Sequence, residues 1–186
     1  RILALRRLGH DTACVESWSC DLAQALLRLL AQASARPFAA LDEALLLRDI
    51  GVLSHFVGDA SQPLHLTIHY NGWGDYPNPE GFTTSRQFHG QVDGFPFGRI
   101  AVPDIEAQMV ANDCGTPCDI RARVPAYLRA NLVNVAPLYR LEQSGQIAEG
   151  GPEAVAFMSA RMASGASELR DLVTAAYREA GTVTIG

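Results

Sequence analysis

Among the side chains between positions 55 and 93, five stand out as possible metal ligands by their spacing: His55, Asp59, His65, His89 and Asp93. His55 and Asp59, and again His89 and Asp93, are spaced i and i+4. On a helix that spacing stacks both side chains on one face, one turn apart. A divalent cation with nitrogen and oxygen ligands needs donors that converge at about 2.0–2.2 Å from the ion. Helix pairs that each offer a His and a carboxylate are one way to supply them. With five histidines in the chain, roughly 0.3 His–Asp pairs of this spacing are expected by chance. Two pairs therefore exceed what composition produces. The competing reading is a surface pair that supports its helix by a few tenths of a kcal/mol, and the residues around the pairs weigh against it.

Placing those side chains requires helices, and the sequence supplies them. Residues 21–34 carry apolar residues at helical spacing, with Pro37 as a stop. Residues 39–60 read as the strongest helix, with Leu41, Leu45, Ile50, Leu53, Phe56 and Val57 on its buried side and His55 and Asp59 late in it. Its apolar load predicts a central, mostly covered helix. Pro63 suits the first position of a new helical turn, with Ser61 or Gln62 as cap, which swings His65 back toward the preceding helix. Residues 70–82 hold three Gly and two Pro and form a long loop rich in aromatics: Tyr70, Trp73, Tyr76 and Phe82. Thr83 or Thr84 is expected to cap a helix running to Asp93, ended by Gly94 and Pro96. Further helices are expected over 103–113, over 119–143 with a kink at Pro137, and over 152–180 with a break near Gly165. No stretch alternates as a strand. The expectation is an all-α, multi-helix chain forming a single domain over residues 1–186.

Composition bounds the function. The chain has 186 residues, about half of them apolar and a fifth charged, as in an ordinary globular protein. No apolar run approaches the ~20 residues of a membrane span. A net charge of −5 gives no strong global field for nucleic acid. Every basic residue is Arg and none is Lys, a pattern that biased codon usage explains more simply than phosphate binding. The sequence begins at Arg1 with neither an initiator Met nor a signal sequence, so a fragment or processed product is expected. The cysteines, Cys14, Cys20, Cys114 and Cys118, lack zinc-knuckle spacing. Local disulfides Cys14–Cys20 and Cys114–Cys118 would suit an exported protein, and four free thiols are an equal alternative.

At HFVGDASQPLH and the later HGQVD the chain resembles the superfamily of zinc-dependent phospholipases C and single-strand nucleases of the S-one/P-one type. The family pattern is His-x₃-Asp-x₅-His with Gln-Pro-Leu before the last His, then a further His-x₃-Asp. The resemblance covers about 40 residues directly and implies an all-helical fold with up to three zinc ions in a cleft. It implies that His65, His89 and Asp93 form the whole protein ligand set of one ion. It gives His55 and Asp59 as half the set of a second, with Asp59 bridging to a third. The chain also departs from the family. The other ligands lie upstream there, and this sequence has too little chain ahead of His55 to carry them, so an N-terminally truncated member is expected. Leu8–Gly9–His10 resembles a Gly–His of the family N-terminus but lies too close to His55, and an ordinary loop His is the better reading of His10. Val92 stands where the family often has Trp, and Gly94 where some relatives place a substrate-contacting Asn.

The implied activity is zinc-dependent phosphodiester hydrolysis of a nuclease-like kind, with Asp59, His65, His89 and Asp93 as catalytic residues. Zinc lowers the pKa of bound water toward ~7, and paired ions can clamp a phosphate. No competing nucleophile triad or Gly-rich phosphate loop is present. Arg86, one turn before His89, could hold a phosphate oxygen. Trp73 and Tyr76 could stack bases of a single strand, or simply pack over the site. His69 reads as a satisfied polar neighbour rather than a ligand. The expected partner is single-stranded nucleic acid or another phosphodiester, with no stable protein partner. The expected location, from the resemblance, is secreted or periplasmic. The alternatives are a phospholipase C acting on headgroup esters and a non-catalytic relative with structural zinc.

Overall fold

The structure, a computed structural model, describes residues 40–179 apart from residue 116, with side chains from residue 44 onward. The helix expected over 21–34, His10 and the Cys14–Cys20 pair lie outside the described residues. What is described is helical, with no strand beyond a single bridge between Tyr70 and Gly72. The elements are α1 (Ala40–Ser61), a 3₁₀ turn (Pro63–Leu66), α2 (Phe88–Gly94), α3 (Val102–Glu106), α4 (Ile120–Leu132), α5 (Val135–Gln143), α6 (Gln146–Glu149) and α7 (Pro152–Glu179).

Helix α1 packs along α7, the most extensive contact between elements. It buries one stripe, Asp49, Leu53, Val57 and Ala60, spaced so that each lies about one turn from the next on one face. Leu47 and Val52 are exposed, so the helix is one-sided rather than mostly covered. The expected break at Gly165 does not occur; α7 is continuous over 28 residues. The glycine serves close approach instead. A Cβ there would lie 2.9 Å from Ser61 Oγ, closer than side chains tolerate, so the small residue lets the end of α1 rest against α7.

Two apolar clusters form the core. One joins Leu53, Val57, Leu66, Val124, Leu128 and Leu172 from α1, the turn, α4 and α7. The other joins Leu64, Phe82, Phe88, Val92, Phe95, Leu138 and Tyr139. The short Pro63–Leu66 turn straddles them. Leu64 anchors it in one cluster and Leu66 in the other, both buried, and His65 between them is left half-exposed.

Three other expectations are corrected. The helix to Asp93 starts at Phe88, not after Thr83 or Thr84. Thr83 Oγ1 accepts from Ser85 N, Ser85 Oγ accepts from Gln87 N, and Thr83 O accepts from Trp73 N. Hydroxyl bonds of this kind offer the backbone a turn in place of a helix. Over 103–113 only Val102–Glu106 is helical, because the backbone beyond it is claimed by α7: Val110 N donates to Ser167 Oγ and Asn112 N to Asp171 Oδ2. The stretch 119–143 divides into α4 and α5, and the break falls at residues 133–134 rather than at Pro137. Asn134 Nδ2 donates to the carbonyls of Ala130 and Asn131 and closes α4. Pro137 lies in the first turn of α5, where its missing N–H has no partner to lose. Cys114 and Cys118 are joined in a disulfide, the paired alternative for these two cysteines.

Candidate metal centre

Helix α1 carries His55 and Asp59 one turn apart, with His55 Nε2 3.5 Å from Asp59 Oδ2. Helix α2 carries the second pair, with His89 Nε2 3.1 Å from Asp93 Oδ2. His65 stands between them on the 3₁₀ turn. Its Nδ1 is 3.7 Å from Asp59 Oδ2, and its ring meets that of His89 edge-on at 4.7 Å between centroids. His65, His89 and Asp93 each offer one ligand atom, and those atoms lie within 4.8 Å of one another. This group could hold a metal ion. The structure thus links the five candidate residues through contacts between neighbours, with three in a tight group and His55 at the exposed edge, its side chain 70% accessible.

The hydrogen bonds around the group select its chemistry. His89 Nδ1 is 2.8 Å from the carbonyl oxygen of Tyr70. A carbonyl only accepts, so Nδ1 carries the proton and, in the neutral ring, Nε2 keeps its lone pair. That lone pair faces a carboxylate oxygen 3.1 Å away. Two electron-rich atoms at that distance repel unless a proton or a cation lies between them, and a metal is one such cation. An imidazole whose far nitrogen donates to a backbone carbonyl is the usual way a protein orients a metal-binding His. Asn71 Oδ1 also accepts from His89 N, which fixes the start of α2 against the loop.

Asp93 is held by a residue that sequence reasoning treated only as a cap. Gln62 Oε1 accepts from Leu64 N at the start of the turn, and Gln62 Nε2 donates to Asp93 Oδ1 at 3.0 Å. One amide therefore fixes the turn that carries His65 and aims the carboxylate that faces His89. The signal was its place three residues before His65, where a capping side chain can also reach a neighbouring element. Burial lowers the pKa of His65, the largest influence on it; Asp59 and Asp93 oppose this, while His89 and His55 add to it. The lowered value favours the neutral, metal-binding imidazole.

The residues expected to contact substrate differ in their surroundings. Arg86 is exposed in the non-helical segment before α2, so it is not on the helical face of His89, and no hydrogen bond or ion pair among the described residues ties it to the cluster. Trp73 is stacked on His69, 3.7 Å between centroids and 5° from parallel, and donates from Nε1 to Pro77 O. It packs against Phe82 and Tyr139. One indole face is thus taken up in supporting the loop. His69 Nδ1 meets Trp73 O at 2.8 Å, as a packed polar neighbour would. Tyr76 is exposed and stands edge-on to His69. Tyr70 is exposed, with its ring 6.2 Å from that of His89.

No family model, curated protein or solved structure matches the chain.

Proposed function

We propose that the chain is a zinc-dependent phosphodiester hydrolase of nuclease-like type, as its resemblance to the zinc phospholipase C and single-strand nuclease superfamily implies. The observation that carries this reading is the aim of His89: its Nδ1 proton is given to Tyr70 O, and its Nε2 faces Asp93 beside His65. Three donors of nitrogen and oxygen type suit zinc, and three protein ligands leave a position for substrate, as in catalytic rather than structural sites. When bound, zinc supplies a Lewis acid for a phosphate oxygen and lowers the pKa of water toward ~7.

The chain's own residues supply the positioning. His65 and His89 offer nitrogen donors, and Asp93 offers one carboxylate oxygen while Gln62 holds the other. Asp59 places a carboxylate between His55 and His65 and, with His55, is half the ligand set of a second ion. Tyr70 presents an exposed ring at the rim, where a base of a single strand could stack. Arg86, Trp73 and Tyr76 are secondary candidates for substrate contact. A Cys114–Cys118 disulfide is in keeping with a secreted or periplasmic location.

The test is hydrolysis of single-stranded DNA or RNA by the zinc-loaded protein. The expected result is turnover lost on chelation and in His89→Ala. Release of phosphocholine from phosphatidylcholine without nucleic-acid cleavage would assign the site to the phospholipase branch. Stoichiometric zinc with no turnover on either substrate would leave it structural.

A further inference from the structure

A cavity of about 330 Å³ opens beside the candidate metal centre, where α1, α2 and α7 meet. Gln62 and Asp93 line it on the metal side. Much of the remaining wall is apolar: Val92, Pro96, Met158, Met162 and Leu169. Within this wall sits one cation, Arg161 on α7.

Arg161 is half-buried and has no carboxylate within ion-pair distance among the described residues. Its one hydrogen bond there runs from Nη1 to Asn131 Oδ1 at 3.0 Å, and its Nε is buried without a partner. Burial draws its pKa below the usual arginine value. Nearby Arg123 contrasts with it, as the same kind of side chain is matched by both oxygens of Glu168. A half-buried guanidinium whose partners are a neutral amide and the ring of Phe157, 5.8 Å from Cζ to its centroid, is left without an anion. It can receive a phosphate, which its planar donors fit.

We propose that Arg161 anchors a second phosphate of the substrate, the one flanking the phosphate held at His65, His89 and Asp93. The proposal rests on the metal-site reading for its geometry and names the substrate class more narrowly. A nucleic-acid strand carries a phosphate on either side of each scissile bond, whereas a phosphatidylcholine headgroup carries one. The cavity, at the low end of the range for small-molecule pockets, suits a nucleotide unit better than a pair of acyl chains.

The experiment compares binding of thymidine 3′,5′-bisphosphate and thymidine 5′-monophosphate, by calorimetry, to zinc-loaded protein and to protein stripped of metal by dialysis. In the loaded protein the bisphosphate is expected to bind at least about tenfold tighter, as one charge-assisted contact provides. Arg161→Met should bring the two ligands level. Asn131→Asp should do the same with the arginine still present, because it sets a carboxylate against the guanidinium, and this variant decides the matter if Arg161→Met does not fold. In the stripped protein Arg161→Met should weaken bisphosphate binding by about the same factor. Equal affinity for the two ligands in the loaded wild type, or an unchanged preference in Asn131→Asp, would overturn the proposal. If removing zinc changes nothing while Arg161→Met still weakens the bisphosphate, the metal reading fails and the anion site stands.

Discussion

Two polar clusters, both built on helix pairs, show opposite logic. Between α4 and α7, Arg123 meets both oxygens of Glu168 at 2.8 Å, with Asp171 3.7 Å away, and its Nη1 donates to Asn112 O. Those side chains are about nine-tenths buried, and every strong donor faces an acceptor. Where α1, α2 and the 3₁₀ turn meet, the side chains are more exposed, and His89 Nε2 faces an oxygen of Asp93 at 3.1 Å. The first cluster satisfies itself and clamps two helices together. The second is satisfied only when a proton or another cation lies between its nitrogen and oxygen atoms. Charge and burial alone would rank the first as the more unusual site; the direction of the His89 lone pair marks the second as the one that could hold a metal ion.

The largest effect should come from breaking the self-sufficient cluster. Arg123→Met leaves Glu168 buried without its cation, while Asp171 keeps Arg170; stranding one buried charge in this way costs about 3–5 kcal/mol of stability. Urea unfolding should show this, while zinc affinity per folded molecule stays unchanged. Loss of zinc binding in the folded variant would mean that the two clusters are not independent.

A smaller effect separates them from the other side. Gln62→Ala removes the amide that holds both Asp93 and the His65 turn. Loss of an orienting partner of this kind lowers metal affinity about 10–100-fold, and loss of the cap lowers stability by about 1 kcal/mol. A competition titration against a zinc-binding dye measures the first and thermal unfolding the second. A variant that loses stability but keeps full zinc affinity would reduce Gln62 to a cap.

The mildest probe is pH. The His65 pKa is lowered in the folded chain, chiefly by burial. The unfolded chain, with a histidine pKa near 6.5, therefore takes up that proton first as pH falls. Unfolding is thereby favoured below about pH 6.5, and the stability present above that value is lost as pH drops through the lowered one. Metal-free protein should show this slope, and His65→Gln should flatten it. An unchanged slope in that variant would assign it to other groups.

The sequence displayed the ligands more clearly than the scaffold. His55, Asp59, His65, His89 and Asp93 stood out because a helical repeat and a proline-initiated turn are local features, and three of them, His65, His89 and Asp93, come together as a group that could hold a metal ion. Gln62 and Tyr70 were less visible, since one acts across to α2 and the other through its backbone carbonyl, which any residue type possesses. Helix boundaries erred where side chains competed for the backbone: hydroxyls at Thr83 and Ser85 delayed α2, and Ser167 and Asp171 drew the 110–112 segment away from helix. Gly165 read as a break because a glycine marks flexibility and close contact alike, and only the position of Ser61 tells them apart. Arg161 carried no local signal, because the absence of a carboxylate beside it arises from packing.

The most direct measurement is a calorimetric zinc titration of the wild type and of His65→Ala, His89→Ala and Asp93→Ala. The account predicts tight binding of at least one zinc per chain in the wild type, and loss of that tight site in each of the three variants while the helical fold is retained. Tight zinc that persists in all three would contradict it, as would a wild type that binds no zinc.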